Sequence, residues 1–329
     1  MRPRVVLTHW VHPEVIEVLE REFDIVANPT RDTLPRDEVL RRCADARAVM
    51  AFMPDRVDRA FLDAAPHLNV VAAALKGYDN CDVGACTERG VWFTIVPDLL
   101  TAPTAELTVA LMLGLGRRVL EGDRLVRSGS FDGWKPILYG TGLAGATVGL
   151  VGMGAVGRAV AARVKGFEAR VLYYDPGPDE RLADVGNAER VELAVLLARS
   201  DFIVLVAPLT GDSLHLINRA TLARLKPGCC LINTGRGSVV DEEAVAEALS
   251  AGHLAGYAAD VFALEDWSRA DRPRHIPQAL LDQPARTLFT PHLGSAVDVV
   301  RRDIALAAAR SIGQALRGEV PDGAVNRAV

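Results

Sequence analysis

Short runs of β-branched and apolar residues alternate with longer stretches of helical periodicity along most of the chain. Arg4-Val5-Val6-Leu7-Thr8 reads as a strand, and behind it Pro13 opens a helix whose Val15, Ile16, Val18 and Leu19 recur at helical spacing. The pattern predicts a further helix over 35–46 and buried strands at 48–52 and 70–74. A second series starts near Thr147, with strands predicted at 147–151, 170–174, 202–206, 229–232, 257–261 and 287–289. Strands alternating with helices mean βαβ units and parallel sheets, so the expected class is α/β.

Two helical stretches organise the rest. Residues 103–120 are apolar on much of the helix circumference (Leu107, Val109, Ala110, Leu111, Leu113, Leu115). A helix of that kind is buried, and packing between domains or subunits is expected. Residues 298–316 place Ile304, Ala308, Ile312 and Leu316 on one face, after the last strand of the second series and with no strand of their own. That helix is therefore assigned back to the first domain. The expected organisation is a discontinuous substrate domain, 1–100 with 293–329, and an inserted domain over 101–292 that carries the doubly wound sheet. The Pro-, Gly- and acid-rich stretch 175–190 reads as a solvent loop.

Composition narrows the partners. The 329 residues are 50% hydrophobic and 24% charged, and 28 glycines with 18 prolines fall well short of a low-complexity chain. A net charge of −5 argues against nucleic acid or anionic membrane held through bulk charge, so any anionic ligand must meet local cations. No apolar run reaches the ~18 residues of a membrane span, and the N-terminus lacks a signal-peptide core. Five cysteines (Cys43, Cys81, Cys86, Cys229, Cys230) form no CxxC pair and no zinc spacing. They are expected to be buried small hydrophobes in a reducing, cytoplasmic setting, with no metal site.

The most specific local motif is Gly152-Met153-Gly154-Ala155-Val156-Gly157. It has the context that a dinucleotide-binding GxGxxG needs: a predicted strand before it, a helix after it, and Asp175 at the end of the next strand. Gly152 permits the tight turn, Gly154 lets the backbone approach a pyrophosphate, and Gly157 lets helix and strand pack closely. Free N–H groups at the helix start suit the phosphates. Asp175 should accept from the adenosine ribose hydroxyls and repel a 2′-phosphate, and Pro176-Gly177-Pro178 offers no cation to offset it. The second domain is thus expected to be a Rossmann domain binding NAD rather than NADP.

Three further motifs lie at predicted strand ends, where open α/β sheets bind ligands. They are Asn233-Thr234-Gly235-Arg236-Gly237, Asp260-Val261-Phe262-Ala263-Leu264-Glu265 and Pro291-His292-Leu293-Gly294-Ser295. An arginine fork clamps an oxyanion, a histidine moves protons near neutral pH, and a carboxylate on its other nitrogen fixes the tautomer. With the glycine motif, these stretches resemble the D-2-hydroxyacid dehydrogenase family over nearly the whole chain. The resemblance implies Arg236, Glu265 and His292 as the catalytic set, with Glu265 touching His292. It implies a flavodoxin-like first domain, a homodimer, and cofactor contacts from Thr104, Ala207, Pro208, Thr234, Gly235, Asp260 and Gly294. Val206 stands where the family often carries a polar residue.

Lys76 precedes Gly77 in a loop of the first domain, where the wider family usually has an uncharged residue. A second cation beside Arg236 suits a small dianion. Lys76, Met53, Trp134, Tyr139 and Trp267, with their neighbours, are similar to the phosphite (phosphonate) dehydrogenase branch of the family. That likeness implies oxidation of phosphite with NAD⁺, Lys76 at both substrate and cofactor, Ser295 near the substrate, the aromatics closing the pocket, and Arg301 further out. Two other readings compete: a D-2-hydroxyacid dehydrogenase or glyoxylate/hydroxypyruvate reductase that tolerates Lys76, and a non-catalytic NAD(H)-sensing scaffold. The complete Arg236, Glu265, His292 and Lys76 set speaks against the scaffold.

Overall fold

The computed structural model describes residues 2–177 and 188–328. The chain divides into two compact units, one of residues 1–100, 267–270 and 295–329, the other of 101–266 and 271–294.

The first unit is built on five parallel strands: β1 (Arg4–Leu7), β2 (Asp24–Val26), β3 (Ala48–Ala51), β4 (Val70–Ala73) and β5 (Trp92–Thr94). Their order, β2-β1-β3-β4-β5, is that of a flavodoxin-like sheet. Alternation along the strands separates two cores. Val5, Leu7, Met50 and Ala72 face the helix Asp298–Leu316, whose Ile304, Ala308 and Ile312 are buried on that side. Val6, Val49, Val71 and Ala73 pack on the other side against Phe61, Leu62 and Phe93. The pattern of the chain does not single out β2 and β5, because a three-residue run is too short to show an alternation.

The second unit holds seven parallel strands: β6 (Thr147–Val151), β7 (Arg170–Tyr174), β8 (Glu189–Arg190), β9 (Phe202–Leu205), β10 (Cys229–Asn233), β11 (Leu254–Ala259) and β12 (Thr287–Phe289). The order β12-β11-β10-β9-β6-β7-β8 reverses direction at β6 and β9, the switch point of a Rossmann sheet. Part of the predicted solvent loop, including Pro178, lies outside the described residues, and its end instead forms β8.

The long apolar helix differs from expectation in two ways. It breaks into Thr101–Gly116 and Val119–Arg127, with Arg118 at φ 52° between them, in the left-handed region that interrupts a helix. Its first half is buried against its own unit's sheet, where Ala105, Val109, Leu111 and Met112 share a core with Val148, Leu150, Ile232 and Ala258. The apolar circumference is satisfied there by the sheet and by the helix Ala155–Lys165. Residues 293 and 294 also belong to this unit rather than the first, because their N–H groups donate to Asp260. The short stretch 267–270, predicted within the inserted domain, groups with the first unit.

Cys43, Cys86, Cys229 and Cys230 are buried, Cys81 partly so, and all five are free thiols. Burial pushes the Cys43, Cys86, Cys229 and Cys230 thiols up to about 12, so they stay protonated and inert. Among the described residues no cluster of His, Cys, Asp or Glu could hold a metal, and no helix is long and apolar enough to cross a membrane.

Leu150 is fully buried in β6, two residues before the glycine motif. Leu150→Ala should lower unfolding free energy by about 2–5 kcal/mol, measured by urea denaturation of the two proteins side by side.

Candidate active site

The glycine turn follows β6 directly. Gly152 adopts φ 101°, and a Cβ there would press within 3.0 Å of the Ala207 backbone nitrogen, so only glycine fits. A Cβ on Gly154 would meet nothing within 4 Å, which leaves the backbone open to an approaching group. One on Gly157 would sit 2.2 Å from the Gly152 carbonyl oxygen, with the Val206 side chain also against it. Val206 thus packs on the turn as an apolar wall. The helix begins at Ala155 with Gly154 as its N-cap, so the N–H groups of Ala155, Val156 and Gly157 precede the first intrahelical bond, from Arg158 to Gly154. This cradle fits a dinucleotide pyrophosphate.

Asp175 closes β7 beside the cradle. One of its oxygens accepts the Met153 N–H at 2.7 Å and the other the Gly177 N–H at 2.8 Å. Met153 is therefore occupied twice: its side chain is core, and its N–H holds Asp175 in place. The local run after Asp175 lacks a cation, but the fold supplies one nearby. Arg190, from β8, donates to the Asp175 and Gly177 carbonyls at 2.7 and 2.9 Å. Only strand pairing brings it there, so sequence spacing could not reveal it.

The loop after β9 brings Ala207 and Pro208 to the same sheet end. A Cβ on Gly235 would lie 2.7 Å from the Ala207 carbonyl, so the two loops lie in close contact. Thr234 shares a 2.8 Å hydroxyl bond with Thr108 of the helix Thr101–Gly116, and Thr108 also donates to the Thr104 carbonyl. Thr104 and Asp260 in turn both lie within 3.5 Å of a Cβ placed on Gly294. Asn233, at the end of β10, shapes the arginine loop: its amide donates to the Arg236 carbonyl and accepts from the Gly235 N–H.

His292 and Glu265, 27 positions apart, meet at 2.7 Å between Nδ1 and a carboxylate oxygen. Each side chain keeps about a third or a quarter of its surface accessible, 30% for His292 and 25% for Glu265. Glu265 is itself anchored, since its other oxygen accepts the Phe262 N–H at 2.8 Å. His292 has a φ of 55°, a strained choice for a residue with a Cβ. Asp260 holds that turn. It accepts from the Thr290 hydroxyl and the Leu293 N–H at 2.6 Å, and from the Gly294 N–H at 2.8 Å, while its carbonyl accepts the His292 N–H. Burial pushes the Asp260 carboxyl up, and these hydrogen bonds oppose the shift. Expected as a cofactor contact, Asp260 has both oxygens engaged in shaping the histidine turn. With Nδ1 on Glu265, the Nε2 of His292 is the nitrogen that can exchange a proton with a ligand.

The remaining candidates sit elsewhere. Lys76 and Gly77 lie partly buried in the turn after β4, and Lys76 forms no ion pair among the described residues. The Met53 carbonyl accepts from Asn80, and the Ser295 hydroxyl accepts from Arg301, all within the first unit. Trp267 also belongs to that unit. Trp134 and Tyr139 are 84% and 74% exposed, so neither lines a pocket of its own unit.

A Rossmann sheet with a glycine cradle, an aspartate at the next strand end and a His–Glu pair over the carboxyl edge defines an NAD-dependent oxidoreductase. Residues 109–294 match the NAD binding domain of the D-isomer specific 2-hydroxyacid dehydrogenases. The chain belongs to that family. A glyoxylate reductase of Pyrococcus horikoshii is 38% identical over all of this chain and 97% of its own length. A crystal structure of a Thermus thermophilus protein superposes with a TM-score of 0.87 at 35% identity, covering 98% of this chain and 100% of that one. The D-lactate dehydrogenase of Aquifex aeolicus, solved with NAD and lactic acid, gives 0.81 at 25% identity over 96% of both chains.

These relatives overturn the expectation of phosphite oxidation, because the end-to-end match is named for a carbon substrate, glyoxylate. The physical reason is plain. A lysine ammonium pairs with a carboxylate as readily as with a phosphorus oxyanion, so the presence of Lys76 does not choose between them.

Asp175→Ala combined with Pro176→Arg should raise kcat/KM for NADP(H) relative to NAD(H) by at least tenfold. Steady-state kinetics with both cofactors measure it, and an unmoved ratio would remove Asp175 from the ribose site.

Proposed function

We propose that the protein is an NAD(H)-dependent reductase of a small 2-oxo acid of the glyoxylate or hydroxypyruvate class, also able to run the reverse oxidation of the 2-hydroxy acid. The observation that carries this reading is the 2.7 Å His292–Glu265 contact on the carboxyl edge of the sheet, two loops from Arg236. The end-to-end glyoxylate reductase relative supports it.

Residues 152–157 and Asp175 would hold the dinucleotide, with Thr104, Ala207, Pro208, Thr234, Gly235 and Gly294 around its nicotinamide half. Bound NADH supplies a hydride to the substrate's carbonyl carbon. Arg236 offers parallel N–H donors to the substrate's oxygens and draws electron density toward the carbonyl oxygen. As that oxygen gains charge, the Nε2–H of protonated His292 delivers the proton that completes the hydroxyl. Glu265 fixes which nitrogen faces the substrate and stabilises the imidazolium before transfer. Lys76 is the proposed second cation for the substrate carboxylate, with Gly77 beside it, and Met53, Trp267 and Ser295 are proposed neighbours of the same ligand.

A homodimer is proposed as well. The helix Val119–Arg127 buries none of its residues, and Val119, Leu120, Val126, Phe131, Trp134, Ile137 and Tyr139 are all exposed along one stretch of chain. So many large apolar groups in succession suit a second copy of the chain. Sedimentation velocity should report a dimer, converted to monomer by Val126→Glu with Trp134→Glu.

The central test follows NADH consumption on adding glyoxylate or hydroxypyruvate. His292→Ala should lower kcat by about 10²–10⁴-fold with NADH affinity retained. Lys76→Ala should chiefly raise KM for the oxo acid. No turnover of either oxo acid by the parent protein would refute the reading.

A further inference from the structure

The loop that carries Arg236 and the turn that carries Glu265 are tied together by two buried carboxylates outside the motifs read from the sequence. Glu242, the first residue of the helix Glu242–Ser250, is 5% exposed, and its carboxylate accepts the Ala263 N–H at 2.8 Å. Ala263 begins the short 3-10 turn Ala263–Glu265. In the opposite direction, Asp266, 3% exposed, accepts the Ser238 N–H at 2.6 Å, two residues past Arg236. The backbones touch between these bonds: a Cβ on Gly237 would fall 1.8 Å from the Phe262 carbonyl carbon. Each segment therefore lends the other a buried acceptor, and neither can slide without orphaning an N–H.

We propose that Glu242 is a positioning residue for the reaction: with Asp266 it latches the Arg236 loop to the Glu265 turn, and its negative charge strengthens the hold of the Glu265–His292 pair on the catalytic proton. The proposal rests on His292 as the proton donor, as argued above.

The charges around Glu242 make its state sensitive to pH. Asp266 and Glu265 face it from the turn, Glu243 adjoins it on its own helix, and Asp241 caps that helix. Tyr257 of β11 stands in its field as a buried neutral phenol, whose ionisation burial opposes. The cation of the turn, Arg272, donates to the Leu264 carbonyl and lies in the field of Asp266. From the helix Arg219–Leu222 comes Arg219, paired with Asp241 and Glu247. The helix Gln278–Leu281 brings no titratable side chain. Burial first, and the neighbouring carboxylates after it, push the Glu242 carboxyl up to about 7, against the pull of the Ala263 bond.

Below about pH 7 Glu242 is protonated and adds no charge. As pH rises through that point it ionises, and the new negative charge behind Glu265 favours the imidazolium of His292. Glu242→Gln keeps an oxygen for the Ala263 N–H but never acquires the charge.

The test reads His292 directly, by NMR titration of its imidazole in the full-length parent and in Glu242→Gln. The expected result is a downward shift of the His292 midpoint by up to about one pH unit, the scale of one nearby unit charge at an effective protein dielectric. In parallel, the alkaline limb of kcat/KM for oxo-acid reduction should move down by the same amount with NADH affinity unchanged. Glu242→Ala, which also breaks the latch, should lose more kcat than Glu242→Gln, toward the ~10²-fold that misplacement costs. An imidazole titration identical in parent and Glu242→Gln overturns the proposal, because a merely structural glutamate would leave it unmoved. Failure of the parent to reduce any oxo acid would instead overturn the substrate reading, and the His292 titration would still decide the role of Glu242.

Discussion

The site depends on a histidine held in a backbone conformation it would not choose alone. At φ 55° His292 bears strain that a glycine would not, and the turn persists because Asp260 gathers one hydroxyl and two N–H groups around it. Asp260 directly follows β11, and its N–H donates to the Asn233 carbonyl at the end of β10, so the histidine turn is tied to the middle of the parallel sheet. Glu265 completes the arrangement from the neighbouring turn. The imidazole is thus fixed by the fold, which suits it to the proton-transfer role proposed for it.

The same economy of backbone contact runs through the rest of the sheet edge. Gly152, Gly157, Gly235 and Gly237 each mark a place where a second chain segment comes too close for a side chain. Two of these approaches build the dinucleotide cradle, and two lock the loops that carry Ala207, Arg236 and Glu265. Carboxylates do the complementary work: Asp175, Asp260, Glu265, Glu242 and Asp266 all accept backbone N–H groups from turns, loops and short 3-10 segments at this sheet edge, and Asp260, Glu242 and Asp266 do so from buried positions. Loops without regular pairing are made rigid by acceptors that cannot be replaced by water.

Much of this was legible in the order of residues. The strand-glycine-helix-aspartate succession around Gly152 has few meanings, and it pointed to the cradle that the structure contains. Arg236, Glu265 and His292 stood in motifs whose chemistry is narrow. The substrate was not legible: a lysine does not distinguish a carboxylate from a phosphorus oxyanion, and the resemblance that attached Lys76 to phosphite gave way to relatives named for glyoxylate. The resemblance placed Trp134 and Tyr139 as pocket walls, yet they stand exposed in this unit, and an aromatic ring in an irregular stretch carries no period from which its facing could be inferred.

What the sequence determined by itself was local: which stretches become strands, where glycine permits a turn, and which side chains carry charge or a movable proton. These follow from periodicity of 2 or 3.6 residues and from the steric freedom of single positions. What only tertiary structure decided was adjacency across long separations. The His292–Glu265 contact, Arg190 beside Asp175, and the Glu242–Ala263 and Asp266–Ser238 bonds all join residues of segments far apart in the sequence or on different elements. Their partners are chosen by strand order and by the burial of polar atoms, two properties that no single segment of chain possesses.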